Sequence, residues 1–307
     1  MAKAGPQTGT RRVLIGLLGA PIASSASPAL HEAAARAAGI EAYYHLIEVA
    51  GADKARLRAI LDGVRAVGFA GINVTFPYKE AVVGLLDEVA PAAAAMGAVN
   101  TVVVRDGRLV GHNTDMTGFR TAFQRFASAS APKAAPATVA VIGAGGVGRA
   151  IVFALHYPGG PKLRLFDQDR AKAEDLAARL NAGAGLVVAG SVEEALAGAG
   201  GIVNATPLGM APDVRSPVPS ELISAAHVVI DVVYSPLFTP LLTEAHRRGA
   251  RIMTGRDLVI HQALDGFRLF TGLEGSESAM NGAFDRAMAA RGISPLTASI
   301  HAETKAG

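Results

Sequence analysis

Cysteine and tryptophan are both absent from the 307 residues of this chain. The lack of cysteine excludes disulfides, thiolate zinc sites, iron–sulfur clusters and a cysteine nucleophile. Charge of one sign is also scarce. With 29 cations against 26 anions and no long Lys/Arg block, nothing suggests a nucleic-acid footprint. No apolar run reaches the roughly 18 residues that a membrane-spanning helix needs. Aromatic residues make up only 5% of the chain, yet half of it is hydrophobic, which supplies a core and excludes disorder as the main state. The length fits two domains. Thirty-five glycines and abundant alanine suit Ala-rich helices packed closely on a glycine-punctuated sheet.

Near the N-terminus, Arg11-Arg12 precede an apolar stretch over 13–20 and imitate a short secretory signal. Gly16 and Gly19 interrupt that stretch and Pro21 stops it, so it reads as a buried first strand of an uncleaved, cytoplasmic chain. Helical spacing follows over 28–38, with Ser27 as N-cap and Pro28 in the first turn. A second helix is predicted over 53–67, strands over 43–49 and 71–75, and a helix opening at Pro77 over 77–89. Asp106-Gly107 marks a hairpin between 99–104 and 108–111. The segment SASAPKAAPA (128–137) breaks the composition and reads as a loop between units. Strands at 138–142, 163–166, 202–204, 228–232 and 251–253 then alternate with helices at 147–155 and 170–180, and helix dominates from Gly255 onward. Such alternation predicts an α/β protein with parallel sheets.

Gly143, Gly145 and Gly148 fit G-x-G-x-x-G, directly after a predicted strand and before a predicted helix. The first glycine permits the tight turn, the second lets backbone approach a pyrophosphate, and the third lets helix and strand pack closely. Free N–H groups and the positive dipole end of the helix favour the phosphates. Asp167 ends the next strand, where a carboxylate binds adenosine ribose hydroxyls. Without that context the glycines would be an ordinary turn, and Asp167 a turn residue.

Polar residues also gather at strand ends and helix starts of the first half. The hydroxyls of Ser25 and Ser27 suit a carboxylate, although Ser27 alone reads as a cap. Lys79 falls in the first turn of the helix predicted after Pro77, where a cation opposes the macrodipole and its ammonium is disfavoured. Asn100 and Asp115 stand at the edges of apolar segments. His31, His45, His112 and His261 show no metal-ligand spacing, so no metal is expected.

Taken together the chain resembles the shikimate dehydrogenase family, including its quinate/shikimate branch, over about residues 13–285. The resemblance rests on GAPIASSASPALHE (19–32), GINVTFPYKE (71–80), GAVNTVV (97–103), GHNTD (111–115), GAGGVGRA (143–150), NATPLGM (204–210), DVVYSPLFTPLL (231–242) and HQALDGFRLFTG (261–272), all in family order. It implies a two-domain α/β fold. Residues 1–114 with 256–307 would form a substrate domain, 115–255 a Rossmann dinucleotide domain, and the active site the cleft between them. By resemblance Lys79 and Asp115 are the catalytic pair. Ser25 and Ser27 hold a substrate carboxylate, Thr75, Asn100 and Gln262 hold ring hydroxyls, and Tyr234 is the substrate-side tyrosine. Gly143, Ala144, Gly145, Gly146, Val147 and Gly148, with Asn204, Ala205, Thr206 and Met253-Thr254-Gly255, line the dinucleotide side.

The sequence departs from the family pattern at Ser24, Glu32 and Asp257, where the family usually has His, Asn and Met. It also has Asp167-Gln168-Asp169 where Asn-Arg-Thr is common. That last departure resembles the NAD-using branch and makes NAD the expected cofactor, with Arg170 partly offsetting the acidic pair and NADP less favoured. Ser27 is instead the shikimate-type choice, so shikimate and quinate both stay open as substrates. The implied activity is reversible oxidation of a ring secondary alcohol, with a small carboxylic acid as partner, no nucleic acid or membrane, and room for a homodimer. A dehydrogenase for a related carbocyclic acid and a non-catalytic dinucleotide sensor remain as alternatives.

Overall fold

The computed structural model describes residues 10–129, 136–180 and 185–292. Residues 130–135 of the expected inter-unit loop lie outside the described residues. In the first half, β1 (Arg12–Gly19) pairs in parallel with β2 (Glu41–Glu48) on one side and β3 (Gly71–Val74) on the other. The hairpin of β5 (Thr101–Arg105) and β6 (Arg108–His112) joins β3 antiparallel, and β4 (Glu88–Val89) adds to β6. This first sheet is therefore mixed rather than all parallel, with order β2-β1-β3-β5-β6-β4. Asp106 (φ 50°) and Gly107 (φ 73°) supply the left-handed pair that a two-residue hairpin turn requires.

The glycines that interrupt the apolar run of β1 are packing requirements. A Cβ on Gly16 would stand 2.8 Å from the His45 carbonyl oxygen, and one on Gly19 would stand 2.9 Å from that of Phe76. Leu18, Ile72 and Val74 pack against Leu57, Leu61 and Val64 of helix α2 (Lys54–Ala66), whose N-cap Asp53 accepts from Arg56 N–H at 2.8 Å. On the other side of the sheet, helix α1 (Ser27–Ala37) packs with α9 (Gly255–Thr271) and α10 (Glu277–Ala289) through Leu30, Phe267, Met280 and Phe284.

The second sheet is parallel throughout. Its strands are β7 (Thr138–Ile142), β8 (Lys162–Phe166), β9 (Leu186–Val188), β10 (Gly201–Asn204), β11 (Val228–Asp231) and β12 (Arg251–Met253), in the order β12-β11-β10-β7-β8-β9. Both faces are covered, so β7 is apolar at successive positions. Val139 and Val141 face a core with α5 (Gly146–Leu155) and α6 (Arg170–Leu180), whereas Ala140 and Ile142 face α7 (Val192–Leu196) and α8 (Pro240–Arg247). Strand order reverses between β7 and β10, the place where such sheets open a ligand crevice at their carboxyl ends. Helices α4 (Thr114–Ser128) and α9 carry the chain between the sheets and cross closely at Gly118, where a Cβ would stand 2.6 Å from the Gln262 backbone nitrogen. Among the described residues, no helix is long and apolar enough to cross a membrane.

Two local expectations need correction. The helix predicted over 77–89 does not form. The chain makes turns, a 3-10 segment at Val83–Leu85 and the short β4, followed by α3 (Pro91–Met96). A helix there would need the Lys79 carbonyl for residue 83, but Val99 N–H claims it at 2.8 Å, and the Tyr78 hydroxyl ties the turn to Val49 C=O at 2.7 Å and Ala52 N–H at 2.9 Å. Ser27 is also not the cap of α1. It is the first helical residue, and its N–H donates to Ser25 Oγ at 3.2 Å.

His31 of α1 is wholly buried, stacks on Tyr44 at 5.0 Å between ring centroids, and has no hydrogen-bond partner among the described residues on either ring nitrogen. Burial pushes its pKa down to about 3. An unfolded chain protonates this imidazole near pH 6.5. Between pH 6.5 and about 3 the unfolded state therefore binds a proton that the folded state refuses, and stability falls as pH falls, by up to about 1.4 kcal/mol per unit. His31→Met should flatten the loss of stability between pH 6.5 and 4.5 by about 1–2 kcal/mol relative to wild type, in urea titrations at each pH. Parallel curves for the two proteins would show that His31 is protonated in the folded state.

Candidate active site

Asp115 sits in the first turn of α4. The N-cap Asn113 accepts from the Asp115 and Met116 N–H groups at 3.1 and 3.3 Å, and donates through Nδ2 to Ala98 C=O at 3.0 Å. A carboxylate is favoured at this end of a helix. Its two oxygens are divided. Lys79 Nζ donates to Oδ2 at 2.6 Å, and Asn100 Nδ2 donates to Oδ1 at 2.9 Å. The lysine and aspartate side chains are only 14% and 8% exposed, so the pair is shielded from bulk water and its attraction is stronger than a surface pair's. The helix end therefore acts on Asp115, and Lys79 lies in a turn without a helix of its own.

Asn100 is fixed in turn. Its Oδ1 accepts from Thr114 N–H at 2.7 Å and Thr101 Oγ1 at 3.0 Å. Thr101 Oγ1 accepts from Asn73 Nδ2 at 3.0 Å, and Asn73 Oδ1 accepts from the Tyr44 hydroxyl at 2.8 Å. Burial pushes the Tyr44 phenol up, which keeps it a neutral donor beside Ser27. A buried polar chain thus runs from the lysine pair to the serines, where Ser25 Oγ donates to Ser27 Oγ at 3.1 Å. Arg291 donates to the carbonyls of Ser24 and Ser25 and anchors the serine turn. Thr75 follows β3, with its N–H on Leu18 C=O at 2.9 Å. Gln262 joins the lysine side through Thr114, whose Oγ1 lies 3.5 Å from Gln262 Oε1. Tyr234 is tilted against Phe284 at 5.9 Å in the α1–α10 layer and is near enough to Tyr44 to help push that phenol up.

The glycine loop opens beside these groups. Gly143 has φ 108°, and a Cβ there would stand 2.8 Å from Ala205 O. A Cβ on Gly148 would strike Gly143 O, so the third glycine lets α5 seat on the loop. Gly145, the N-cap of α5, faces open space, which suits close approach of a pyrophosphate. Val147 is half-buried against the sheet core. Gly146 has a role that the fingerprint does not convey. A Cβ on it would stand 2.8 Å from Lys79 Cβ and 2.9 Å from Lys79 Cδ, so the dinucleotide helix lies directly on the lysine stem. These features fit a dinucleotide, whose phosphates the loop and the first turn of α5 would hold.

Asp167 follows β8. Its Oδ2 accepts from Ala144 N–H at 2.6 Å and its Oδ1 from Asp169 N–H at 2.8 Å. Arg170 Nε pairs with Glu174 Oε1 at 2.7 Å, an exposed contact along α6. At the end of β10, Asn204 Oδ1 accepts from Thr206 N–H at 2.9 Å and Thr206 Oγ1 at 2.7 Å. Gly255 begins α9 where a Cβ would strike Val232 O.

Sequence reasoning assigned no role to Asp231. It is fully buried and accepts from Asn204 Nδ2 at 2.9 Å, Val233 N–H at 3.0 Å and Thr239 Oγ1 at 2.6 Å. Burial pushes its pKa up to about 6 against those bonds. It orients Asn204, and the signals for it were an acidic residue toward the end of an apolar strand and its place at the head of DVVYSPLFTPLL. Arg149 was also passed over inside GAGGVGRA; it is buried between the two sheets.

The family model for the shikimate dehydrogenase substrate binding domain matches residues 17–102, and one described as NADP oxidoreductase, coenzyme F420-dependent, matches residues 138–235. The chain is 44% identical over 281 residues to a quinate/shikimate dehydrogenase (NAD(+)) of Corynebacterium efficiens, covering 89% of this chain and 97% of that protein. It is 42% identical over 268 residues to a shikimate dehydrogenase (NADP(+)) of Streptomyces avermitilis, covering 85% and 91%. The solved structure of quinate dehydrogenase from Corynebacterium glutamicum in complex with NAD superposes with a TM-score of 0.78 at 39% identity, over 89% of this chain and 99% of that one. Shikimate 5-dehydrogenase from Thermus thermophilus in complex with NADP(H) and shikimate gives 0.78 at 36% identity, over 90% and 99%. Likeness of this extent spans both sheets and is not confined to a dinucleotide loop that many folds share, so the chain belongs to the shikimate dehydrogenase family.

Proposed function

We propose that the protein catalyses reversible hydride transfer between NAD and a ring secondary alcohol of shikimate, quinate or both. The observation that carries this reading is the 2.6 Å Lys79–Asp115 pair, partly buried and lying against Gly146 at the start of the glycine-loop helix. In this reading residues 1–114 and 256–307 form the substrate side and residues 115–255 the dinucleotide side. The bound nicotinamide supplies the redox chemistry. During oxidation the substrate hydroxyl gives its proton to Lys79 as a neutral amine, and during reduction the ammonium returns it. Asp115 holds Lys79 toward the substrate. Ser25 and Ser27 take the carboxylate, Thr75, Asn100 and Gln262 the ring hydroxyls, and Tyr234 closes the substrate side.

NAD is the preferred dinucleotide in this account. Asp167 is held at the glycine loop by Ala144 N–H, and a carboxylate there accepts from both ribose hydroxyls and repels a 2′-phosphate. Arg170, paired with Glu174, only partly offsets Asp167 and Asp169 there. The relatives named for NAD support the same choice.

Purified protein given shikimate or quinate with NAD should form NADH; no turnover with either acid and either dinucleotide would refute the reading. Lys79→Ala should lose about 10²–10⁴-fold in turnover while still binding substrate, and a variant keeping more than about half of wild-type activity would remove Lys79 from the chemistry. Asp115→Asn should be severely impaired as well; wild-type rates would reduce Asp115 to a helix-start residue. In kcat/KM, NAD should be preferred over NADP by about 10–100-fold. Asp167→Ala should shrink that ratio mainly by harming NAD use, whereas equal or better wild-type activity with NADP would show that Asp167 does not read the ribose.

A further inference from the structure

Arg149 stands on α5, three residues beyond Gly146 and on the same helix face. Its side chain is 5% exposed, and a buried guanidinium is costly unless its hydrogens are matched. Its two terminal nitrogens find such groups on both sides, whereas Nε is buried without a partner among the described residues. Nη2 lies 2.8 Å from Asp175 Oδ2 on α6 and 3.5 Å from Glu80 Oε2, and Nη1 donates to Met96 C=O at 3.2 Å. Asp175 also accepts from Arg179 Nε at 2.8 Å, and these hydrogen bonds, first from Arg179 and then from Arg149, hold its carboxyl below the usual range. Arg179 completes the contact by lying against Gly97, 3.0 Å from where a Cβ would stand.

The substrate-side groups that Arg149 holds adjoin the reacting ones. Glu80 directly follows Lys79. Met96 and Gly97 lead to Asn100 through Val99, whose N–H donates to Lys79 C=O at 2.8 Å. Two of the groups around the Asp115 carboxylate, Lys79 and Asn100, are therefore carried by segments anchored to the dinucleotide helix. Asp175 and Glu80 are partly exposed, so solvent screens their attraction. What distinguishes arginine here is its planar fork, which reaches a carbonyl on one side and carboxylates on the other in a way that a lysine ammonium does not.

We propose that Arg149 is a positioning residue for hydride transfer: from the glycine-loop helix it sets where Lys79 stands relative to the nicotinamide end of the bound dinucleotide. The proposal rests on the dehydrogenase reading above. Displacing a reacting group by about an ångström costs on the order of 10²-fold in rate. Cofactor affinity depends on different contacts, because Gly143, Gly145 and Gly148 shape the phosphate loop.

The test uses full-length Arg149→Met and Arg149→Lys, with kcat and KM for shikimate and NAD measured across pH, and hydrogen exchange of residues 76–100 measured without ligands. Arg149→Met should lose about 10–100-fold in kcat, keep its KM for NAD within about threefold, and shift the pH profile of kcat. Exchange in residues 76–100 should quicken, and Arg149→Lys should recover part of the kcat. A kcat within about twofold of wild type with the same pH profile, or a loss expressed wholly in the KM for NAD, would overturn the proposal. If Arg149→Met does not fold, the double variant Glu80→Gln/Asp175→Asn takes its place; it should lower kcat several-fold, and an unchanged kcat would overturn the proposal equally. Wild-type protein inactive on both acids would refute the dehydrogenase reading instead, and unchanged exchange in Arg149→Met would then still overturn the role of Arg149.

Discussion

A carboxylate taken out of water must have both oxygens matched, and at Asp115 two separate stretches of chain meet that requirement. Lys79 arrives from the turn after β3 and Asn100 from the segment before β5, at the positive end of the helix that carries the aspartate. Losing either of them would leave charge partly buried without its partner, which costs several kcal/mol in comparable sites. The need to satisfy Asp115 therefore fixes the relative positions of segments that are distant in sequence. Asn100 can serve only because Thr114 N–H and Thr101 orient its amide. The same chain of hydrogen bonds continues through Asn73 to Tyr44, so the lysine end and the serine end of the site share one buried polar framework.

That framework lies in the first sheet, whereas the glycine loop belongs to the second. Glycine makes their contact possible at defined places. Gly146 lets α5 rest on the stem of Lys79, and Gly118 lets α4 and α9 cross closely enough to bring Gln262 toward Thr114. In each case a single added methyl group would meet backbone or a functional side chain. The small residues that lower helix propensity here serve approach between elements.

Much of this was legible in the sequence. Apolar runs with glycine at close crossings marked β1 and β7, and glycine spacing after β7 marked the tight loop into α5, because those signals are local. The turn at 77–89 was misread for a physical reason. Val82, Val83 and Leu85 imitate a helical face, and nothing nearby in sequence shows that Val99 takes the Lys79 carbonyl. Misplacing that helix also misplaced the dipole, which acts on Asp115. Short elements such as α3, β9 and α7 offer too few residues for a period to show. Lys79, Asn100 and Asp115 stood out through their motifs. Asp231 and Arg149 did not, because their meaning lies in partners such as Thr239, Asp175 and the Met96 carbonyl, which only the folded chain brings to them.

The central claim is that the Lys79–Asp115 pair handles the proton of the alcohol whose carbon exchanges hydride with the nicotinamide. A crystal structure of the protein with NAD and shikimate, or quinate if that is the acid turned over, tests it most directly. The account predicts the reacting oxygen within about 3 Å of Lys79 Nζ, with the carboxylate on Ser25 and Ser27. A substrate oxygen beyond hydrogen-bond reach of Lys79, or a ring bound with its carboxylate on the lysine, would contradict it.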